Sequence, residues 1–157
     1  MAEQPCDDER RGSGPTVSPG GVALLVGENS ARFQFYSVLL EELGYQVRCS
    51  GSYDEGAKLL DSDAFALIVV SQGSLKFEGR RLLERASATS RRPPVLVVAQ
   101  SPDVQCFLEA MQLGAAEYLT EPVTAQVLVR AVKTHARVPT DSTRAEARTG
   151  LGERNAA

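Results

Sequence analysis

The run FALIVV at 65–70, with shorter runs of the same kind at 22–26 (VALLV) and 95–98 (VLVV), restricts the fold more than any other feature. Each is short, mostly β-branched and leucine, and free of polar residues on both faces of a pleat. Such a segment is a strand buried on both sides, as strands are in a parallel sheet covered by helices. Between these runs the period changes. Over 30–43, Phe33, Tyr36, Leu40 and Leu43 recur at helical spacing, with Ser30 as N-cap and Gly44 as the stop. Helices are also expected at 53–60, at 79–88 (with Leu82, Leu83 and Ala86 inward), at 102–111 from Pro102 to a stop at Gly114, and at 124–135. Further strands are expected at 46–49 and 117–119.

Strands alternating with helices make βαβ units with right-handed crossovers. The expected fold is α/β, a single doubly wound five-stranded parallel sheet of order 2-1-3-4-5. Its ligand crevice lies at the carboxyl ends of the first and third strands, which places Gly27, Glu28 and Ser71 there. Ala99 and Glu121 fall at the ends of the fourth and fifth strands.

Residues 1–20 and 137–157 carry charges, Gly, Pro and Ser with few apolar residues, so they are expected to be disordered tails around one domain at 21–136. The hydrophobic content of 43% and charged content of 24% suit a water-soluble globular protein. A net charge of −3 gives no basic field for nucleic acid or anionic lipid, and no apolar run could span a membrane. No signal peptide is apparent, so a cytoplasmic location is expected. Cys6, Cys49 and Cys106 are far apart and fit neither a disulfide framework nor a zinc site, which suggests reduced thiols.

The segments EELGYQV (41–47) and EAMQLGAAEYLTEPV (109–123), together with Gly79 eight residues after Ser71, resemble the receiver domain of bacterial response regulators. The resemblance covers 22–135 in order and implies a CheY-like member of the flavodoxin-type folds. In receivers, two adjacent acids after the first strand hold Mg²⁺, an aspartate ending the third strand accepts a phosphoryl group, a hydroxyl residue ends the fourth, and a lysine precedes the fifth-strand proline. By that resemblance the positions are occupied here by Gly27 and Glu28, Ser71, Ala99 and Glu121.

The substitutions remove the chemistry. A serine hydroxyl is a weak nucleophile without an adjacent base, and Ser71 has neither a GxSxG elbow nor a histidine nearby, since His135 ends the last helix. Mg²⁺ depends on hard anionic oxygens, of which only Glu28 remains, so metal binding is expected to be weak or absent and no other cofactor is implied. Glu121 would repel a phosphoryl group; at ~4 Å and an effective dielectric of ~20, one unit pair is worth roughly 4 kcal/mol. The pocket as written holds Glu28 and Glu121 with no evident cation.

The expected function is therefore that of an atypical receiver, not an enzyme, acting as a phosphorylation-independent protein-interaction module in two-component-type signalling. No effector domain is expected after the last helix. The resemblance places the contact surface on the fourth helix, fifth strand and fifth helix, with other signalling proteins or a second copy as partners and neither nucleic acid nor membrane. On the fourth helix, Val104, Leu108 and Met111 fit an inward stripe and Phe107 lies off it. On the last helix, Val127, Leu128, Ala131 and Val132 suit the core side, with Val129 extending the apolar surface. Tyr118 matches the family's switch aromatic and is expected not to toggle with phosphorylation. The alternatives are a small-molecule-sensing domain using the same crevice and a residual phosphoacceptor at Ser71.

Overall fold

The computed structural model describes residues 20–28 and 30–135. The predicted tails lie outside them apart from Gly20, as does the capping role expected of the Ser30 side chain. The order of elements is β1 (Gly21–Val26), α1 (Ser30–Glu42), β2 (Tyr45–Ser50), α2 (Tyr53–Ser62), β3 (Leu67–Ser71), α3 (Arg80–Ala88), β4 (Val95–Ala99), α4 (Val104–Gln112), β5 (Glu117–Thr120) and α5 (Ala125–His135). All strand pairs are parallel and the sheet runs β2-β1-β3-β4-β5, the expected order.

The apolar strands separate two cores by simple alternation. Ala23, Leu25, Leu67, Val69, Leu96, Val98 and Leu119 face one side, where Phe33, Tyr36 and Leu40 of α1 and Leu128, Ala131 and Val132 of α5 cover them. Leu24, Val26, Ile68, Val70, Val95 and Val97 face the other, against Leu60, Leu82, Leu83, Ala86, Cys106 and Ala110. Burying each aliphatic side chain of this size contributes roughly 1.5–3 kcal/mol, so both faces anchor the sheet.

Local chemistry sets the helix ends. Ser52 and Glu55 have the spacing of a capping box, and the Ser52 side chain accepts from the Glu55 N–H at 3.2 Å. At α4 the expected start at Pro102 moves to Asp103, whose carboxylate accepts from the Cys106 N–H at 3.1 Å. Gly114 follows α4 at φ +100°, a left-handed conformation that favours glycine.

Two helix faces differ from expectation. On α4 the buried residues are Cys106 and Ala110, whereas Val104 is 71% exposed, Leu108 48% and Met111 40%. The sheet lies close beneath this helix and leaves room only for small side chains, so the larger apolar stripe turns outward. On α5, Val127 is exposed rather than inward. The thiols also differ from the expected reduced set: Cys49 is disulfide-bonded. Cys106 is free and buried, and burial pushes its thiol pKa up.

A crevice closed by an internal ion pair

Parallel pairing brings the predicted site residues to one edge of the sheet. Ser71 is in register with Val98, and Ala99 with Thr120. Gly27 donates its N–H to Ser50 O at 3.1 Å, and Glu121 donates its N–H to Ala99 O at 2.9 Å. Gly27, Ser71, Ala99 and Glu121 thus close the carboxyl ends of β1, β3, β4 and β5, with Glu28 exposed at the rim.

The floor of this crevice is tight. A Cβ at Gly27 would stand 2.7 Å from Cζ of Phe33 and 3.1 Å from Cβ of Ser71. The Phe33 ring, itself 4% exposed, therefore occupies the room that a side chain at position 27 would need. A Cβ at Gly79 would stand 2.4 Å from Ser71 O, so the α3 terminus approaches β3 closely only because residue 79 is glycine. Ser71 is half-buried, and its hydroxyl accepts from the Gly73 N–H at 3.2 Å rather than engaging Glu28 or Glu121. The Tyr53 hydroxyl donates to Ser71 O at 3.3 Å, and burial raises the Tyr53 pKa.

The charge of the crevice differs from expectation. Arg32, in the first turn of α1, forms an ion pair with the Glu121 carboxylate, and Tyr36 donates its hydroxyl to the other Glu121 oxygen at 2.8 Å. The Glu121 side chain is only 8% exposed and that of Arg32 38%. The expectation of an acidic pocket with no cation is thereby corrected. It failed because the cation comes from a helix far from Glu121 in sequence. Burial, and then the bond to Glu121, push the Tyr36 hydroxyl well above the usual phenol range. Among the described residues no three His, Cys, Asp or Glu side chains gather as a metal-binding group.

Beside the crevice lies a second polar cluster. Gln72 follows Ser71 and is fully buried. Tyr118 donates its hydroxyl to the Gln72 side-chain oxygen and accepts from the Asp103 N–H at 3.2 Å. Burial raises the Tyr118 pKa as well. Its ring meets Phe107 edge to face at a centroid distance of 5.5 Å. Phe107 is exposed and belongs to the outward stripe formed with Val104, Leu108 and Met111. Val129 is half-buried on α5, which packs on the other face of the sheet, with α1.

Three participants carried only a weak signal in the sequence. Arg32 and Tyr36 stand four residues apart on α1, a spacing that sets both on one helix face. Gln72 is a polar residue immediately after an apolar strand, where a turn residue and a buried amide look alike.

The sequence matches the response regulator receiver domain over residues 23–133. It is 29% identical over 113 residues to the response regulator protein FleR of Pseudomonas aeruginosa, a match covering 72% of this chain and 24% of FleR. It is 28% identical over 100 residues to the transcriptional regulatory protein PmrA of Pectobacterium parmentieri, covering 63% of this chain and 45% of PmrA. The chain thus spans less than half the length of either relative. Its fold is similar to that of a CheY-like receiver domain protein from Methanospirillum hungatei (TM-score 0.69, 21% identity, 83% of this chain and 99% of the other). It is also similar to HP1043, an orphan response regulator of H. pylori (TM-score 0.68, 21% identity, 76% and 99%).

Proposed function

The chain belongs to the response regulator receiver domain family, and from that premise we propose that it is a phosphorylation-independent receiver that works by protein contact. The observation that carries this reading is the Arg32–Glu121 pair with its Tyr36 bond. A phosphoryl group in a receiver needs a nucleophilic carboxylate, a metal and a cation aimed at the crevice, because its transfer is mostly positioning and charge neutralisation. Here the end of β3 offers the Ser71 hydroxyl, and the loop after β5 offers Glu121. The arginine nearest the crevice is engaged with that glutamate. The donors do not fit Mg²⁺ either: Glu28 is exposed and stands at the rim, Phe33 fills the room beside Gly27, and the Glu121 oxygens are occupied.

Signalling then falls to contacts. The α4 stripe of Val104, Phe107, Leu108 and Met111 recurs at helical spacing and is exposed along its length. The charged side chain on this helix, Glu109, points aside to Arg80 at 2.6 Å. An uncharged apolar stripe of this kind suits the apolar face of an amphipathic helix on a partner protein, read through anchors at i, i+3, i+4 and i+7. The domain is proposed to act inside the cell among other signalling proteins, without nucleic acid or membrane contact.

The test is an amide titration of ¹⁵N-labelled protein, first with Mg²⁺ and then with beryllofluoride. Shifts at Gly27, Ser71 and Glu121 are expected to stay within the effect of ionic strength alone. Saturable shifts there would sink the proposal and return Ser71 to consideration as an acceptor. A shift produced by a small organic ligand would favour a sensing role for the crevice.

A further inference from the structure

We infer that Gln72 is the positioning residue of the α4 surface, a fixed hydrogen-bond clamp that holds Tyr118 inward and ties the β4–α4 loop to the end of β3 regardless of what occupies the crevice. This rests on the reading of α4 as the contact surface.

The geometry converges on one buried amide. Gln72 is fully buried, and both ends of its side chain are used. Its Nε2 donates to Ser101 O at 3.1 Å and to Ser74 O at 3.3 Å, and its Oε1 accepts the Tyr118 hydroxyl. Two carbonyl oxygens at one end and a hydroxyl proton at the other fix the orientation of the amide, because only its NH₂ can serve carbonyls. A carboxylate would lack the donors, and an apolar side chain would make none of these three hydrogen bonds. The main chain of Gln72 is pinned as well: its N–H donates to Val98 O at 2.8 Å, and its carbonyl accepts from the Gly79 N–H at 3.2 Å.

From this amide the constraint runs outward. Tyr118 accepts from the Asp103 N–H, and the Asp103 carboxylate caps α4 at the Cys106 N–H. The Cys106 thiol donates to Leu75 O at 3.5 Å, which ties the β3–α3 loop to the same helix. The Tyr118 ring meets Phe107 of the exposed stripe. Two loops, β3–α3 and β4–α4, and the first turn of α4 are therefore tied to one side chain.

Amide hydrogen exchange on the full chain, without metal or phosphate analogue, tests the inference. Gln72→Met keeps the length and apolar volume of the side chain and removes its hydrogen bonds. Exchange at Asp103, Cys106 and Phe107 is expected to accelerate about tenfold, the factor for losing roughly one buried hydrogen bond, while Ala23 and Val47 in β1 and β2 keep their rates. The Phe107 ring signals should shift with them. Tyr118→Phe should accelerate the same amides, and the double variant should add little to either single one. Unchanged exchange at the α4 start in a folded Gln72→Met protein, or acceleration spread evenly through the sheet, would overturn the inference. If Gln72→Met does not fold, Tyr118→Phe decides: local acceleration supports the clamp, and an unchanged Asp103 rate overturns it. Beryllofluoride uptake would instead defeat the reading of the crevice and leave this result standing.

Discussion

Arg32 sets the charge of the crevice from a helix that the sequence gives no reason to pair with the loop after β5. Its partner Glu121 is nearly buried, and a buried carboxylate deprived of its cation is costly because the desolvation remains while the attraction is lost. Arg32 itself is more than a third exposed, so water screens part of the gain. Arg32→Ala is therefore expected to lower unfolding stability by about 1–3 kcal/mol, between the values for surface and buried pairs. Urea unfolding checks this, and Glu121→Gln in the same background should restore part of the loss, since no charge is then left unpaired. No restoration would mean that Arg32 acts through packing alone. Glu121 was legible as a departure from the receiver pattern, but its neutralisation was not, because an ion pair between α1 and the β5–α5 loop depends on the closed sheet.

At the scale of elements, α4 separates periodicity from burial. Two apolar stripes coexist in VQCFLEAMQ, and the sequence favours the one with larger side chains. The folded protein buries Cys106 and Ala110 instead, because small residues let the helix lie close to the sheet. The two readings predict different mutational behaviour. Leu108→Gln and Met111→Gln should each change unfolding stability by no more than about 0.5 kcal/mol, as surface substitutions do. The same changes on an inward stripe would cost several kcal/mol, about as much as a truncation to alanine in a core. Denaturant midpoints distinguish the two, and a large loss at either position would return that residue to the core. On α3, where Leu82, Leu83 and Ala86 are flanked by charged residues, a single stripe was available and burial follows it.

Over the whole molecule, the tyrosines report how tightly the fold is held. Each of the four, Tyr36, Tyr45, Tyr53 and Tyr118, has its pKa raised, and burial is the largest cause in every case. A folded-state pKa above the unfolded value, about 10 for tyrosine, means that the associated stability is fully present below that pH. It is lost as pH rises through the folded values, because the unfolded chain gives up its protons more readily. Tyrosinate absorbance near 295 nm should therefore stay low through the ordinary phenol range and rise together with the loss of far-ultraviolet circular dichroism. A gradual rise centred near pH 10 with the dichroism unchanged would show the rings to be accessible. The membrane question has a plain structural form: among the described residues no helix is long and apolar enough to cross a bilayer.

Sequence alone determined the βαβ alternation, the strand order and the placement of Gly27, Ser71, Ala99 and Glu121 at one edge of the sheet. The alternation follows from local periodicity and turn residues, and the order is one of the doubly wound arrangements that right-handed crossovers allow. Tertiary structure decided which α4 stripe faces water, how Arg32 and Tyr36 engage Glu121, and that Gln72 binds Tyr118 and the Ser101 carbonyl. Those depend on distances between residues far apart in the chain, and such distances exist only once the sheet has brought its loops together.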